Sequence, residues 1–185
     1  MTGRSNNSLG RAARDWWIWL QPDPDNGKAP RGNPKALAML RRAHSWADAA
    51  AVPETITLFR KLGKHDDRDL PRVAVVAAVL AHVRKDDETG PVAKSVGKFP
   101  NDSETRAVLS ELRLGRLLSI TGDDDILIAF RRLVALMGKT ANVSDLADQI
   151  LYWDHPVGGE RKRVGFAFNY WQAGSAAPPA SPATE

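Results

Sequence analysis

The stretch Asp69–Lys85, DLPRVAVVAAVLAHVRK, decides the fold class of this 185-residue chain. Val73, Val75, Val76 and Val79 are β-branched and give a strand a local claim. The alanines among them and the length of the run favour a helix, with Pro71 near its start. Apolar side chains cover most of the circumference, so the segment reads as a central, nearly buried helix.

Outward from this helix, almost every segment carries helical spacing. Leu9 to Leu20 forms one helix, stopped at Gln21-Pro22-Asp23-Pro24, and the run to Pro34 is a loop rich in Pro, Gly, Asn and Asp. Asn33 caps and Pro34 opens a helix expected to reach about Ala51. Beyond Pro53, Glu54 to Leu62 reads as a short amphipathic helix through Ile56, Phe59 and Leu62, ended by Gly63. Asp86 to Asn101, with Gly90-Pro91, Gly97 and Pro100, reads as a long connection. Asp123 to Met137 then carries the stripe Ile126, Leu127, Phe130, Leu133, Val134 and Met137. Ser144 is expected to cap the next helix, and Glu160 to Ala173 sets Val164, Ala167, Phe168 and Trp171 on one face. The expected fold is all-α, a helical bundle of two small packed halves joined by a long loop. Its parts are a flexible N-terminus (1–8), an N-terminal helical half (9–88), a connecting loop (89–103), a C-terminal helical half (104–173) and a disordered tail (174–185).

Hydrophobic residues at 43% and charged residues at 26% suit a soluble globular protein, and the formal net charge of +4 leans the surface towards anionic partners. The chain has no cysteine, which excludes disulfides, thiolate metal sites and cysteine nucleophiles. Met1 to Gly10 lacks the apolar stretch of a secretory signal, and the run Val73 to Val83 is too short to cross a bilayer. A cytoplasmic protein with no membrane partner is expected. His44, His65, His82 and His155 show no metal-ligand spacing, and Asp123-Asp124-Asp125 is accounted for by negative charge at a helix N-terminus. No phosphate loop, nucleophile elbow or dinucleotide fingerprint is present. The expectation is a non-enzyme with no metal and no cofactor.

Arginine placement points instead to an anionic ligand. Arg41-Arg42 and Arg131-Arg132 sit at the edges of apolar helical stripes, Arg131 bordering its stripe and Arg132 pointing more directly outward, with the same placement for Arg41 and Arg42 relative to Leu37, Leu40 and Ala47. In Ser110 to Leu118, Leu114, Leu117 and Leu118 share a face while Arg113 and Arg116 lie about 60° apart on another side. Two guanidinium groups one turn apart suit two successive phosphates; a solvated face or a salt bridge with Glu111 accounts for the same spacing. Arg161-Lys162-Arg163 opens the last helix, where cations oppose the helix dipole; an anionic ligand would compensate, and solvation alone accounts for the same run. The tryptophans, including the Trp16-Trp17-Ile18-Trp19 cluster, Trp153 and Trp171, read as core or subunit-interface residues rather than base-stacking platforms.

Several segments occur in a recognisable order: Leu40-Arg41-Arg42-Ala43, Ser110 to Leu118, Phe130-Arg131-Arg132-Leu133-Val134, Ile150-Leu151-Tyr152-Trp153, Arg161-Lys162-Arg163 and Phe168-Asn169-Tyr170-Trp171. With the aromatic N-terminal helix, this set resembles the CasB family, the small subunit of the type I-E CRISPR surveillance complex Cascade, from about Ala12 to Trp171. The resemblance implies an all-helical, non-catalytic subunit that works beside other Cascade subunits and a second copy of itself. Its implied partners are guide RNA and target DNA, single-stranded or as an R-loop, held without sequence specificity. Carried over by position, Arg41, Arg42, Arg113, Arg116, Arg131, Arg132, Arg161 and Arg163 are the expected nucleic-acid-binding residues, with Arg106 and Lys139 as further additions. Two departures stand out, Gly115 in mid-helix and the loop Asp154 to Glu160 ahead of the last basic run. The alternative expectation is a structural adaptor whose basic and Trp surfaces bind partner proteins.

Overall fold

The computed structural model describes residues 6–22, 32–97 and 107–173. The expected tail 174–185 and Arg106 lie outside the described residues. Ten α-helices occur among the described residues, with one two-residue parallel pairing. In chain order the helices are α1 (Asn6–Leu20), α2 (Pro34–Arg42), α3 (Trp46–Ala50), α4 (Pro53–Lys61), α5 (Leu70–Leu80), α6 (Val92–Val96), α7 (Glu111–Ser119), α8 (Asp123–Leu136), α9 (Val143–Tyr152) and α10 (Gly159–Tyr170). The protein is mostly helical.

Helix α5 lies at the centre, and every residue from Val73 to Leu80 is buried. It packs against α2, α3, α4, α8 and α9, so no face is left for water. The competition between strand and helix at its valines is settled by this surround. A strand exposes two faces, whereas α5 buries its full circumference, each valine contributing roughly 1.5–3 kcal/mol. The most extensive helix pair joins α1 to α9. Their close approach needs Gly10, where a Cβ would overlap the Ser144 carbonyl. Gly97 plays the same part at the end of α6, where a Cβ would overlap the Tyr170 carbonyl of α10.

Several local expectations change. The helix expected from Pro34 to about Ala51 is two helices, because Ser45 and Asp48 form a capping box that starts α3 afresh. Asn33 does cap α2, its Oδ1 accepting from Ala36 N at 3.0 Å. The cap of α9 is Asn142, accepting from Asp145 N at 2.9 Å, rather than Ser144. The connection after α5 contains α6 and the strand β1 (Lys85–Asp86), which pairs with β2 (Thr140–Ala141) in the register Lys85 to Thr140 and Asp86 to Ala141. Asp86 also accepts from Val143 N at 3.0 Å and pairs with Arg14 of α1, locking the start of α9 to both.

Helix α10 presents a different face from the one expected. Phe166 and Tyr170 are fully buried, while Val164 and Phe168 are 63% and 62% exposed. The helix has apolar residues on two sides, and only one side meets partners. Phe166 packs edge-to-face on Trp153 at 5.4 Å, and Trp153 meets Phe130 at 5.0 Å. The Tyr170 hydroxyl donates to the Leu109 carbonyl at 2.6 Å.

Candidate nucleic-acid interface

The arginines singled out by the sequence divide into two groups according to what their guanidinium groups meet. One group is spent on helix C-termini, whose last carbonyls lack intrahelical donors. Arg131 of α8 donates from Nη1 to the Ala43 carbonyl at 2.5 Å and from Nη2 to the Leu40 carbonyl at 2.9 Å, closing the end of α2. Arg41 donates from Nε to the Ala81 carbonyl at 2.7 Å, closing α5. Arg163 donates to the Trp153 carbonyl at 3.1 Å, closing α9. Burial lowers the pKa of Arg131, and burial followed by the nearby Arg84 lowers that of Arg41. These side chains lie partly inside the fold.

The compensation expected for the basic run at the start of α10 comes from within the protein. Lys162 pairs with Asp148 and sits 5.7 Å from the centre of the Tyr152 ring, and Arg163 has its carbonyl partner. Arg161 alone of the three is exposed. A further capping arginine, Arg72, carried no signal in its sequence context. It donates to the Ile150 carbonyl at 3.1 Å and pairs with Asp123 at 2.9 Å and with Asp154, joining α5, α8 and α9. The Asp123 to Asp125 run is thereby employed structurally, since Asp124 also accepts from Trp46 N at 2.7 Å at the start of α3. Among the described residues no group of three or more His, Asp or Glu side chains is placed to hold a metal ion.

The capping arginines enclose His82, just after α5. Burial, then Arg131 and Arg41, with a smaller push from Lys139, lower its pKa from 6.5 to about 4 against the opposing effect of a backbone hydrogen bond to Arg41. The folded state therefore disfavours the protonated ring. The contribution to stability is complete above pH 6.5 and is lost as pH falls through about 4. Denaturant unfolding of the wild type and of His82→Gln between pH 7.5 and 3.5 should show the variant losing less stability over that window. Parallel curves would remove His82 as the cause.

The second group of arginines faces outward. Arg113 and Arg116 of α7 and Arg132 of α8 are exposed and line one groove of about 650 Å³ between those helices. Helix α7 forms where it does because Ser110 caps it, accepting from Arg113 N at 3.4 Å, and because Leu114 and Leu117 bury. Leu109, just ahead of it, is tied to Val96 by a 3.0 Å backbone bond and to Tyr170. Three residues, Ile120 to Gly122, then turn the chain back into α8, so two arginine-bearing faces meet across the groove. Its remaining lining is aliphatic: Leu109, Leu117, Ile120, Ala129, Leu133, Ala135 and Leu136. No carboxylate is part of this described lining. Among the described residues, none of the three guanidinium groups has a carboxylate or carbonyl partner.

Of the eight expected residues, the fold thus gathers Arg113, Arg116 and Arg132 into one groove. Arg42 and Arg161 are exposed but outside that lining, and Arg41, Arg131 and Arg163 cap helices. Lys139 is half-buried near His82. Sequence reading passed over Ile120, Ala129 and Leu136; the signal available was an apolar residue, Leu136, lying off the buried stripe of α8. Trp16, Trp17 and Trp153 are core residues, whereas Trp19 is 52% exposed. No helix among the described residues is long and apolar enough to cross a membrane.

A family model described as CRISPR-associated protein Cse2 matches residues 36–171, most of the chain. No curated protein and no solved structure matches the chain significantly.

Proposed function

The chain belongs to the CRISPR-associated Cse2 family, also called CasB, the non-catalytic small subunit of the type I-E Cascade complex, and on that premise we propose that it holds a nucleic-acid backbone across the α7–α8 groove. The observation that carries this reading is the convergence of Arg113, Arg116 and Arg132 on one groove with no described internal partner. Guanidinium groups left unpaired on an exposed surface suit phosphates bidentately, and phosphate contacts carry no base sequence. In Cascade such contacts would favour the open R-loop, whose base-pairing energy is nearly balanced, by adding backbone attraction to an exposed strand. Arg42 and Arg161 are exposed cations outside the groove lining.

Fluorescence anisotropy of a mixed-sequence single strand, as DNA and as RNA, tests the reading at low and physiological salt. Binding that ignores sequence and collapses with salt is expected. No binding at low salt would favour the adaptor reading instead. That second reading has its own support in Val164 and Phe168, one turn apart on α10 and both largely exposed, a face suited to a protein partner.

A further inference from the structure

Resting on that reading, we infer that the α7–α8 groove seats an unstacked nucleobase of a single strand, the base lying on the aliphatic floor under the arginine planes. Phosphate tracking alone needs a charged ridge, and a ridge has no use for a recess. This groove is about 650 Å³, within the size range of pockets that enclose small ligands. Its floor is aliphatic, and Leu136 stays 39% exposed although it faces the groove. Wet aliphatic surface of this kind gains from being covered by something apolar.

A nucleotide offers both chemistries in one unit, a flat ring of low polarity on its faces and an attached anion. The lining alternates in the same way, with Arg113, Arg116 and Leu117 on one wall and Ala129, Arg132 and Leu133 on the other. Guanidinium planes stack on bases as well as pairing with phosphates. The described lining side chains are Leu, Ile, Ala and Arg, which supply donors but no side-chain acceptors, so the contact common to every base is stacking on the ring face. Bases inside a duplex are stacked away from such a recess, which commits the occupant to a single strand. An acidic amphipathic peptide matches the charge but not the repeat of one anion per apolar ring.

The test compares the full chain's affinity for a fluorescent mixed-sequence DNA strand with that for an abasic strand of equal length, by anisotropy across a salt series. The abasic strand should bind about tenfold more weakly, with an unchanged salt slope, because the phosphates remain and the base contact is lost. Ala129→Leu, which fills the groove without altering charge, should weaken binding of the normal strand and bring it towards the abasic value. Equal affinity for the two strands overturns the base seat while leaving phosphate binding intact. Absence of binding to either strand removes both. If Ala129→Leu keeps normal strand binding but fails to assemble with the other Cascade subunits, the groove belongs to a protein partner and the inference is wrong.

Discussion

Arg131→Ala is expected to destabilise the fold by about 2–4 kcal/mol, while Arg132→Ala at the adjacent position stays within about 0.5 kcal/mol of wild type. Arg131 makes charge-assisted bonds to the carbonyls of Leu40 and Ala43, which then lose their donor at the end of α2. Such bonds are each worth roughly 1.5–3 kcal/mol, and the carbonyls are partly shielded from replacement by water. Arg132 has no described protein partner to lose. Arg131→Lys should recover only part of the loss, since a single ammonium lacks the fork that reaches two carbonyls. Urea unfolding of the three variants measures the differences. If Arg131→Ala unfolds with the wild-type midpoint, its cap on α2 contributes nothing.

Binding should show the opposite ranking. Replacing Arg113, Arg116 and Arg132 together by Gln is expected to lower single-strand affinity about 10- to 100-fold at low salt, with the melting temperature nearly unchanged. Three lost phosphate contacts at about 0.7 counterions each reduce the slope of log K against log salt by about 2. Glutamine keeps the helix propensity and a polar, uncharged side chain, so the fold is preserved while the cation is removed. Unaltered affinity and slope would move the interface away from the α7–α8 groove. A loss of stability for Arg131→Ala beside a loss of binding on replacing Arg132 is the paired outcome that would separate the two arginine populations.

Much of the fold was legible because its information is local. The cap at Asn33, the acidic start of α8 and the stripe from Ile126 to Val134 are each local to a single helix, and each appears as read. The Trp153 side chain was likewise assignable to the core from its apolar neighbours. The misreadings are places where a second element chose between local options. Ser45 and Asp48 begin a new helix where composition alone allowed the old one to continue. On α10, Val164 with Phe168 and Phe166 with Tyr170 are both plausible inner faces one turn long. Trp153 and the Leu109 carbonyl select the second pair. The β1–β2 pairing, two residues long and joining segments far apart in the chain, leaves no periodicity to detect.

By itself the sequence determined that this protein is helical, that α5 is its centre, and that arginines border its helices without catalytic groups beside them. Only the tertiary structure decided which arginines remain available. Neighbours such as Arg41 and Arg42, or Arg131 and Arg132, lie about 100° apart on a helix, the first of each pair bordering the buried stripe and the second pointing more directly outward. What the bordering arginine meets depends on where another helix ends and leaves carbonyls unpaired, at Ala81 for Arg41 and at Leu40 and Ala43 for Arg131. That position is set by how the helices pack, a long-range quantity that no window of residues contains.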